Sequence, residues 1–419
     1  MRLSFHHVIG ALLLLFSALA LIVPDLSNTC LFLLVLCGVI DLLSPSRLQP
    51  APRALAWRRY WPLFLAMTLP AVAVLLHQAG TGDFNSRDYD RPLRLAVFVL
   101  VFFAVRRVRI EKGSWLSWAW VLAAVLAFVK AWRVTEGGSL PNTGSLGFMA
   151  GIAFSNMALL LAVWLLVSLR GERGRLLLAA KVLAVALACY VTFMIKTRGT
   201  WLVLPFYAVF FVWYLKNLRP WQKVLIALFP LILLGAAATQ SEMVRERLHE
   251  VQSNLADYAT GANRDTSVGQ RLDIWRASWL MFEEHPLLGI GRENFKPELY
   301  RLAARKLTSP GIAELPHSHN GMLFQMALWG IGGLAALLLV YLVPLVYFFR
   351  ELRHPDMRVR SYAAMGVTLC LGFWVFDLTD VMFFWVILNG FYAINLAVFL
   401  VCMDNCKADW SQPRQGERP

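Results

Sequence analysis

The feature that most constrains this chain is a series of apolar blocks, each about 16 to 22 residues long, that recur along most of its length. About 20 apolar residues in a helix cross the ~30 Å hydrocarbon core of a bilayer. Because open strands cannot satisfy their backbone in lipid, we interpret the blocks as helices. The mean hydropathy of +0.57 and the charged fraction of 16% agree with this interpretation. The chain is therefore predicted to be an all-α polytopic membrane protein.

The apolar pattern predicts twelve transmembrane helices and one large hydrophilic segment between the ninth and the tenth. Gly330, Gly332 and Gly333 lie in the tenth helix and indicate that its start is a separate half-helix. The predicted domains are residues 1–239 with helices 1–9, the large loop 240–318, residues 319–402 with helices 10–12, and a tail at 403–419. The predicted spans are 8–23, 29–44, 60–79, 91–105, 114–131, 147–169, 175–195, 199–215, 221–239, 321–349, 361–379 and 382–402.

The positive charges predict the orientation of these helices. Arg and Lys cluster in the short segments after spans two, four, six, eight and ten, and positive segments stay on the cytoplasmic side. Both termini are therefore expected in the cytoplasm, and the large loop is expected on the periplasmic side. The formal net charge of +14 is explained by this orientation, so we predict membrane lipids and no nucleic acid as partners.

The large loop contains a predicted amphipathic helix at 271–282. Leu272, Trp275, Trp279 and Phe282 fall on one of its faces at helical spacing. The chain is then expected to turn at 284–286 and again at 289–291, where glycines recur.

The junction between the loop and span ten carries two histidines. His317 and His319 stand next to Asn320 at the predicted helix start. A histidine at a membrane boundary can exchange protons near neutral pH, which suits a general base. The alternative is that this segment only caps the helix.

Two arginines are candidates for binding an anionic substrate. Arg271 follows the start of the amphipathic helix, where a guanidinium can bind phosphate by paired hydrogen bonds. Arg198 lies beside Lys196 in a turn so short that positive charge on the outer side is costly without a partner. The alternative for both sites is contact with lipid headgroups.

An acidic residue, Asp380, lies near the outer end of span eleven. It can orient a histidine or hold an arginine, or it can be the polar end of a helix. All four motifs share one face of the predicted topology, which favours a single anionic site. The sequence has no phosphate-binding glycine loop and no metal-ligand spacing, so we predict no metal, no cofactor and a diphosphate substrate.

These motifs resemble the bacterial O-antigen ligases, within the superfamily that also contains O-antigen polymerases and O-linking oligosaccharyltransferases. The resemblance covers most of the chain in topology. Its motifs are Ser267 to Leu272 followed by His285 to Gly291, His317 to Asn320 followed by Gly330 to Gly333, Thr197 to Thr200, and Leu378 to Val381.

The resemblance implies transfer of a glycan from undecaprenyl diphosphate to lipid A–core oligosaccharide, on the periplasmic face of the bacterial inner membrane. It implies a metal-independent, inverting reaction, with Arg198 and Arg271 binding the diphosphate. His319 matches the family histidine and is either the base or a phosphate ligand; His317, Lys196, Asp380 and Asn320 are possible supporting residues.

Other functions remain open from the sequence. A polymerase would use a second glycan as acceptor, and an oligosaccharyltransferase would use a protein hydroxyl. A lipid-linked glycan transporter would carry charges near the middle of several spans, whereas the notable charges here gather at one end.

Overall fold

The computed structural model describes residues 5–43, 53–109, 114–136, 145–215, 219–224 and 266–411. Its helices before the large loop are α1 (Phe5–Leu19), α2 (Leu26–Leu43), α3 (Arg53–Thr81), α4 (Asp90–Ala96), α5 (Phe98–Val105), α6 (Ser114–Val134), α7 (Gly151–Ser168), α8 (Arg175–Met194), α9 (Arg198–Trp201) and α10 (Val203–Tyr214). The later helices are α11 (Ser267–Glu284), α12 (Phe295–Ala304), α13 (Gly321–Glu351), α14 (Met357–Phe376) and α15 (Val386–Ser411). A small antiparallel hairpin pairs β1 (Ser145–Leu146) with β2 (Met149–Ala150).

Eight of the described helices are long and apolar enough to cross a membrane: α2, α3, α6, α7, α8, α13, α14 and α15. Two shorter apolar helical segments, Phe5–Leu19 and Gly199–Tyr214, coincide with predicted spans one and eight. The predicted fourth span is divided into α4 and α5 at Val97. The predicted ninth span lies almost entirely outside the described residues, so the total of twelve spans stays a prediction.

The centre of the helical bundle is formed by α15 and α7. Their most apolar windows are 89% and 83% buried, whereas the corresponding window of α8 is 33% buried. Helix α15 packs against α14, α5, α4 and α2, and α7 packs against α8, α14 and α6. The last helix continues to Ser411, so its C-terminal end includes part of the predicted tail that starts at 403.

The helix predicted at 271–282 exists as α11, but its buried face is not the aromatic one. Ile274, Ala277 and Met281 are buried against α13 and the residues around it. Trp279, in contrast, is 46% exposed. The small and aliphatic residues let α11 approach α13 closely, while Trp275 is partly buried against the same cluster.

Helix α13 is broken at Trp329 and Gly330, as its glycines predicted. Both residues leave the helical backbone conformation, and Gly330 has a φ of +61°. The amides of Ile290 and Gly291 donate to the carbonyls of Ala327 and Leu328, at 2.9 and 3.0 Å. The break is therefore stabilised from outside the helix, because the loop satisfies carbonyl groups that a continuous helix would pair internally.

The glycines of the two motifs fit each other at this break. A Cβ atom on Gly289, whose φ is +71°, would collide with the backbone of Leu328. A Cβ atom on Gly330 would collide with the backbone of Leu287. The predicted turn at 289–291 is thus confirmed. Its backbone packs directly against the break in α13, the helix that follows the two histidines, and so holds the loop on that helix.

The predicted orientation can be tested by labelling single cysteines in a background in which the native cysteines are replaced. We expect Arg305→Cys, exposed in the segment after α12, to react with an impermeant maleimide from the periplasmic side. Ser361→Cys near the start of α14 should react only after the membrane is permeabilised. The reverse pattern would contradict the orientation and would move the candidate site to the other face.

Candidate functional site

The two histidines lie in a tight turn that leads into α13. Asn320 is the N-cap of the helix, and its side-chain oxygen accepts a hydrogen bond of 3.1 Å from the amide of Leu323. The hydroxyl of Ser318 donates to the carbonyl of Asn320 at 2.6 Å. His319 has a φ of +50°, in the left-handed region that is uncommon for residues other than glycine. Since Asn320 does the capping, the histidines are available for another role.

His317 is buried and held in one orientation. Its side chain is 2% exposed, and its Nδ1 accepts a 3.2 Å hydrogen bond from the amide of His319. A neutral His317 therefore carries its proton on Nε2. That nitrogen is 3.9 Å from the Oδ1 of Asp380. His319 is more exposed than His317, so it is the histidine that a substrate can reach.

Asp380 lies in the connection between α14 and α15. Its Oδ1 accepts a 2.8 Å hydrogen bond from the amide of Val381, and its Oδ2 accepts a longer one, 3.4 Å, from the indole of Trp385. The contact that places Asp380 at the site is the one with His317. The sequence left open whether Asp380 orients a histidine or holds an arginine, and its role stays a prediction.

Asp377 anchors this connection, which the sequence did not indicate. Its carboxylate accepts hydrogen bonds from the amide of Met382, at 2.7 Å, and from the hydroxyl of Tyr341, at 3.1 Å. Its carbonyl accepts a 2.7 Å bond from the amide of Gly321. A Cβ atom on Gly321 would collide with the Asp377 carboxylate. Asp377 therefore holds the start of α13 against the segment that carries Asp380.

Arg271 brings positive charge to the histidine and the carboxylate from α11. Burial and, to a smaller extent, the charge of Arg271 together lower the pKa of His319 from 6.5 to about 4. Burial raises the pKa of Asp380, while its own hydrogen bonds and the charge of Arg271 act against that rise. Residues from α11, from the turn before α13 and from the α14–α15 connection therefore meet at one place.

The neighbouring histidine is also uncharged at neutral pH. Burial lowers the pKa of His317 to about 3, with smaller contributions from the charges of His319 and Arg91. Arg91 was not among the residues singled out from the sequence.

The turn that carries Arg198 contacts the same α14–α15 connection. A Cβ atom on Gly199 would lie 2.6 Å from the hydroxyl of Thr379, so the Gly199 backbone closely approaches the Thr379 side chain. Thr200 donates a 2.7 Å hydrogen bond to Asn156, which fixes the turn on α7. Lys196 has a φ of +54° in this turn. The side chain of Arg198 lies outside the described part of the structure, so its predicted role stays a prediction.

His317, His319 and Asp380 also form a set that can hold a metal ion. One ligand atom from each lies within 4.8 Å of the others. Two neutral imidazoles and a carboxylate are common ligands of divalent transition metals. The sequence predicted no metal because Asp380 is 61 positions from His319 along the chain, and only the fold brings them together. The prediction of metal-independent chemistry therefore needs a direct test.

Taken as chemistry, the site combines an accessible neutral imidazole with a guanidinium. A neutral imidazole can accept a proton from a hydroxyl. A guanidinium can donate paired hydrogen bonds to phosphate and stabilise its negative charge. This combination is suited to transfer from a phosphate-activated donor.

Comparison with known proteins agrees with this chemistry. The chain is 23% identical over 288 residues to a protein of Haemophilus influenzae described as an uncharacterized protein, over 67% of this chain and 71% of the relative. A family model described as O-Antigen ligase matches residues 183–338, which include Arg198, Arg271, His317 and His319. The resemblance inferred from the motifs is thus confirmed at the level of the family, since residues 183–338 of this membrane protein match the O-antigen ligase model.

Proposed function

We propose that this protein is an O-antigen ligase, which transfers a glycan from undecaprenyl diphosphate to lipid A–core oligosaccharide on the periplasmic face of the inner membrane. The observation that carries the proposal is the convergence of His319, Asp380 and Arg271 inside or beside the matched domain. Arg271 and Arg198 would bind the diphosphate of the donor, and His319 would act on the acceptor.

In the proposed reaction, a hydroxyl oxygen of the acceptor attacks the anomeric carbon of the glycan. The bond from that carbon to the diphosphate oxygen breaks, and its electron pair leaves with the diphosphate. The hydroxyl proton passes to the neutral imidazole of His319. Attack from the side opposite the leaving group inverts the anomeric configuration. Fixed arginines stabilise the charge that develops on the diphosphate.

The electrostatics of the site support His319 as the base. With a pKa of about 4, its imidazole is unprotonated at neutral pH and can accept a proton. A bound diphosphate brings negative charge close to it, which offsets the charge of Arg271 and raises its pKa towards the working pH. His317 would position His319 through the hydrogen bond from the His319 amide.

The proposed donor chemistry is shared by O-antigen polymerases and protein O-oligosaccharyltransferases, so the acceptor must be identified by experiment. We would reconstitute the purified protein in liposomes with undecaprenyl-diphosphate-linked glycan and offer lipid A–core as acceptor. A ligase attaches glycan to lipid A–core. Longer lipid-linked chains without attachment would identify a polymerase, and movement of donor across the bilayer without transfer would identify a transporter.

The same reconstituted reaction tests whether metal takes part. We expect transfer to continue in excess EDTA, because arginines supply the positive charge that a metal would otherwise provide. Loss of transfer that Mg²⁺, Mn²⁺ or Zn²⁺ restores would contradict metal independence and would make His317, His319 and Asp380 the first candidates for the ligands.

A further inference from the structure

A second pair of arginines, Arg91 and Arg292, lies near the histidine site, and Arg91 contacts the ring of Phe384. The guanidinium carbon of Arg91 is 4.1 Å from the centre of the Phe384 ring. The same ring contacts His317, with 4.7 Å between the ring centres. Arg91 and His317 therefore share Phe384 as a neighbour, and the charge of Arg91 acts on His317.

Arg91 and Arg292 line the same cavity. Its walls are supplied by α3, α4, the loop after α11, α13 and the short helical turn Met382–Phe384. Most of the lining is apolar, as with Val74, Leu328 and Trp329. The cavity volume is about 60 Å³. This is room for about four water molecules, which suits a single phosphate group and is too small for a sugar chain.

The two arginines line the cavity together, and the charge of Arg292 disfavours the charged form of Arg91. Among the described residues, neither makes an ion pair with an acidic side chain, and the Nε of Arg91 is buried without a hydrogen-bond partner. Holding two positive charges close together in a largely apolar cavity costs free energy. An anion bound between them attracts both guanidinium groups, so the net electrostatic interaction becomes favourable.

The acidic residues nearby do not cancel this charge. Asp88 lines the cavity, and it also accepts a 3.3 Å hydrogen bond from Gln78. Burial raises the pKa of Asp88, while the bond from Gln78 and the charge of Arg292 act against that rise. In the part of the chain that the structure describes, Asp88 is the one carboxylate that lines the cavity beside the two guanidinium groups. Asp90 is paired with Arg94 at 2.8 Å. Glu293, beside Arg292, accepts a hydrogen bond from Asn85. The cavity is left with a net positive charge.

We propose that Arg91 and Arg292 form a second phosphate-binding site, separate from the site of Arg271 and His319. The inference rests on the proposed transfer reaction and extends it, because it assigns a second phosphate group to the reaction centre. That group is either a phosphate carried by the acceptor glycolipid or the second phosphate of the donor. Phe384 contacts a residue of each site, Arg91 in one and His317 beside the other.

The test is a kinetic comparison of the full-length protein in liposomes with three variants: Arg91→Gln, Arg292→Gln and the matched control Arg87→Gln. Arg87 is exposed on the connection before α4 and does not line the cavity. KM is measured for the donor, for phosphorylated lipid A–core and for the same acceptor after chemical removal of its phosphates. Inhibition by inorganic pyrophosphate is measured in parallel. Membrane-inserted protein is quantified for every variant.

We expect each cavity variant to raise the KM of one substrate at least about fivefold, with kcat much less affected, because a charge-assisted contact is lost. If the acceptor is the source of the phosphate, the effect appears with phosphorylated acceptor and disappears after dephosphorylation. If the donor is the source, donor KM rises and inhibition by pyrophosphate weakens. Arg87→Gln should behave as the wild type in both cases.

Unchanged KM values and unchanged pyrophosphate inhibition in both cavity variants would overturn the second site. A loss that is equal for both acceptor forms, with pyrophosphate inhibition unchanged, would also overturn it and would make the arginines structural. Arg292 comes from a loop rather than from the helix bundle, so its variant keeps the test valid if Arg91→Gln fails to insert. If the wild type itself transfers nothing to lipid A–core, the proposed function fails first.

Discussion

His319→Ala should lower turnover by about 10² to 10⁴, because it removes the group that accepts the proton of the attacking hydroxyl. Binding of the diphosphate-linked donor should remain largely intact, because the arginines hold the diphosphate. Single-turnover kinetics and a separate donor-binding measurement on the same reconstituted protein distinguish the two quantities.

Two further variants separate a base from a phosphate ligand at this position. His319→Asn keeps a residue that tolerates the left-handed backbone seen here and can still donate a hydrogen bond. If His319 is the base, His319→Asn is as inactive as His319→Ala. If His319 binds phosphate, His319→Ala weakens donor binding and His319→Asn recovers part of the activity.

His317→Ala is the internal control. His317 is buried and positions the His319 backbone, so we expect a smaller loss of turnover than for His319→Ala. An inactive His317→Ala beside an active His319→Ala would exchange the two roles. Normal product from both variants would show that the turn with His317 and His319 only caps α13, and that the catalytic group lies elsewhere.

The pH dependence gives an independent check on the base. A base must be unprotonated, so the rate is retained above its pKa and lost as the pH falls through it. In the free protein this loss should occur near pH 4, well below the 6.5 of an unperturbed histidine, because His319 is buried and faces Arg271. The limb in kcat/KM reports the free protein and the limb in kcat reports the donor complex. The negative donor should therefore move the kcat limb to higher pH.

Arg271→Lys should lose most transfer, on the order of 10²-fold, while the protein still inserts. A lysine ammonium keeps the charge but lacks the planar pair of donors that fits a phosphate group. The loss should appear in kcat/KM for the donor. Arg276→Lys is the matched control, since Arg276 is exposed on the same helix.

Near-normal activity of Arg271→Lys, equal to that of Arg276→Lys, would indicate that Arg271 contacts lipid headgroups and does not bind the diphosphate.

Removal of the Arg271 charge also has a consequence for His319. In Arg271→Gln, the pKa of His319 should rise because one of the two causes of its depression is gone. A kcat/KM limb that does not move upward in this variant would contradict the proximity of the two side chains.

The sequence determined the helical class and the position of the candidate functional segments. Lipid imposes a length and a polarity on each span, and both properties can be read from neighbouring residues. The break in α13 was also predictable, since Gly330, Gly332 and Gly333 are local signals. His317, His319, Asn320 and Arg271 could be singled out because each stands in a motif at the end of a hydrophobic or amphipathic segment.

Local patterns could not predict which side of α11 is buried. The aromatic face had the stronger hydrophobic signal, yet Ile274, Ala277 and Met281 contact the bundle. At a membrane boundary, large aromatic residues are stable without being buried in protein, so hydrophobicity alone does not identify the packed face.

Only the tertiary structure decided which charged groups share a site. The distance between His317 and Asp380, the anchoring of Gly321 by Asp377, and the cavity lined by Arg91 and Arg292 all join segments far apart in the chain. The sequence constrains each of these residues only through its immediate neighbours. Their mutual distances depend on how α3, α4, α13 and the α14–α15 connection pack, and packing is set by contacts between side chains of different helices.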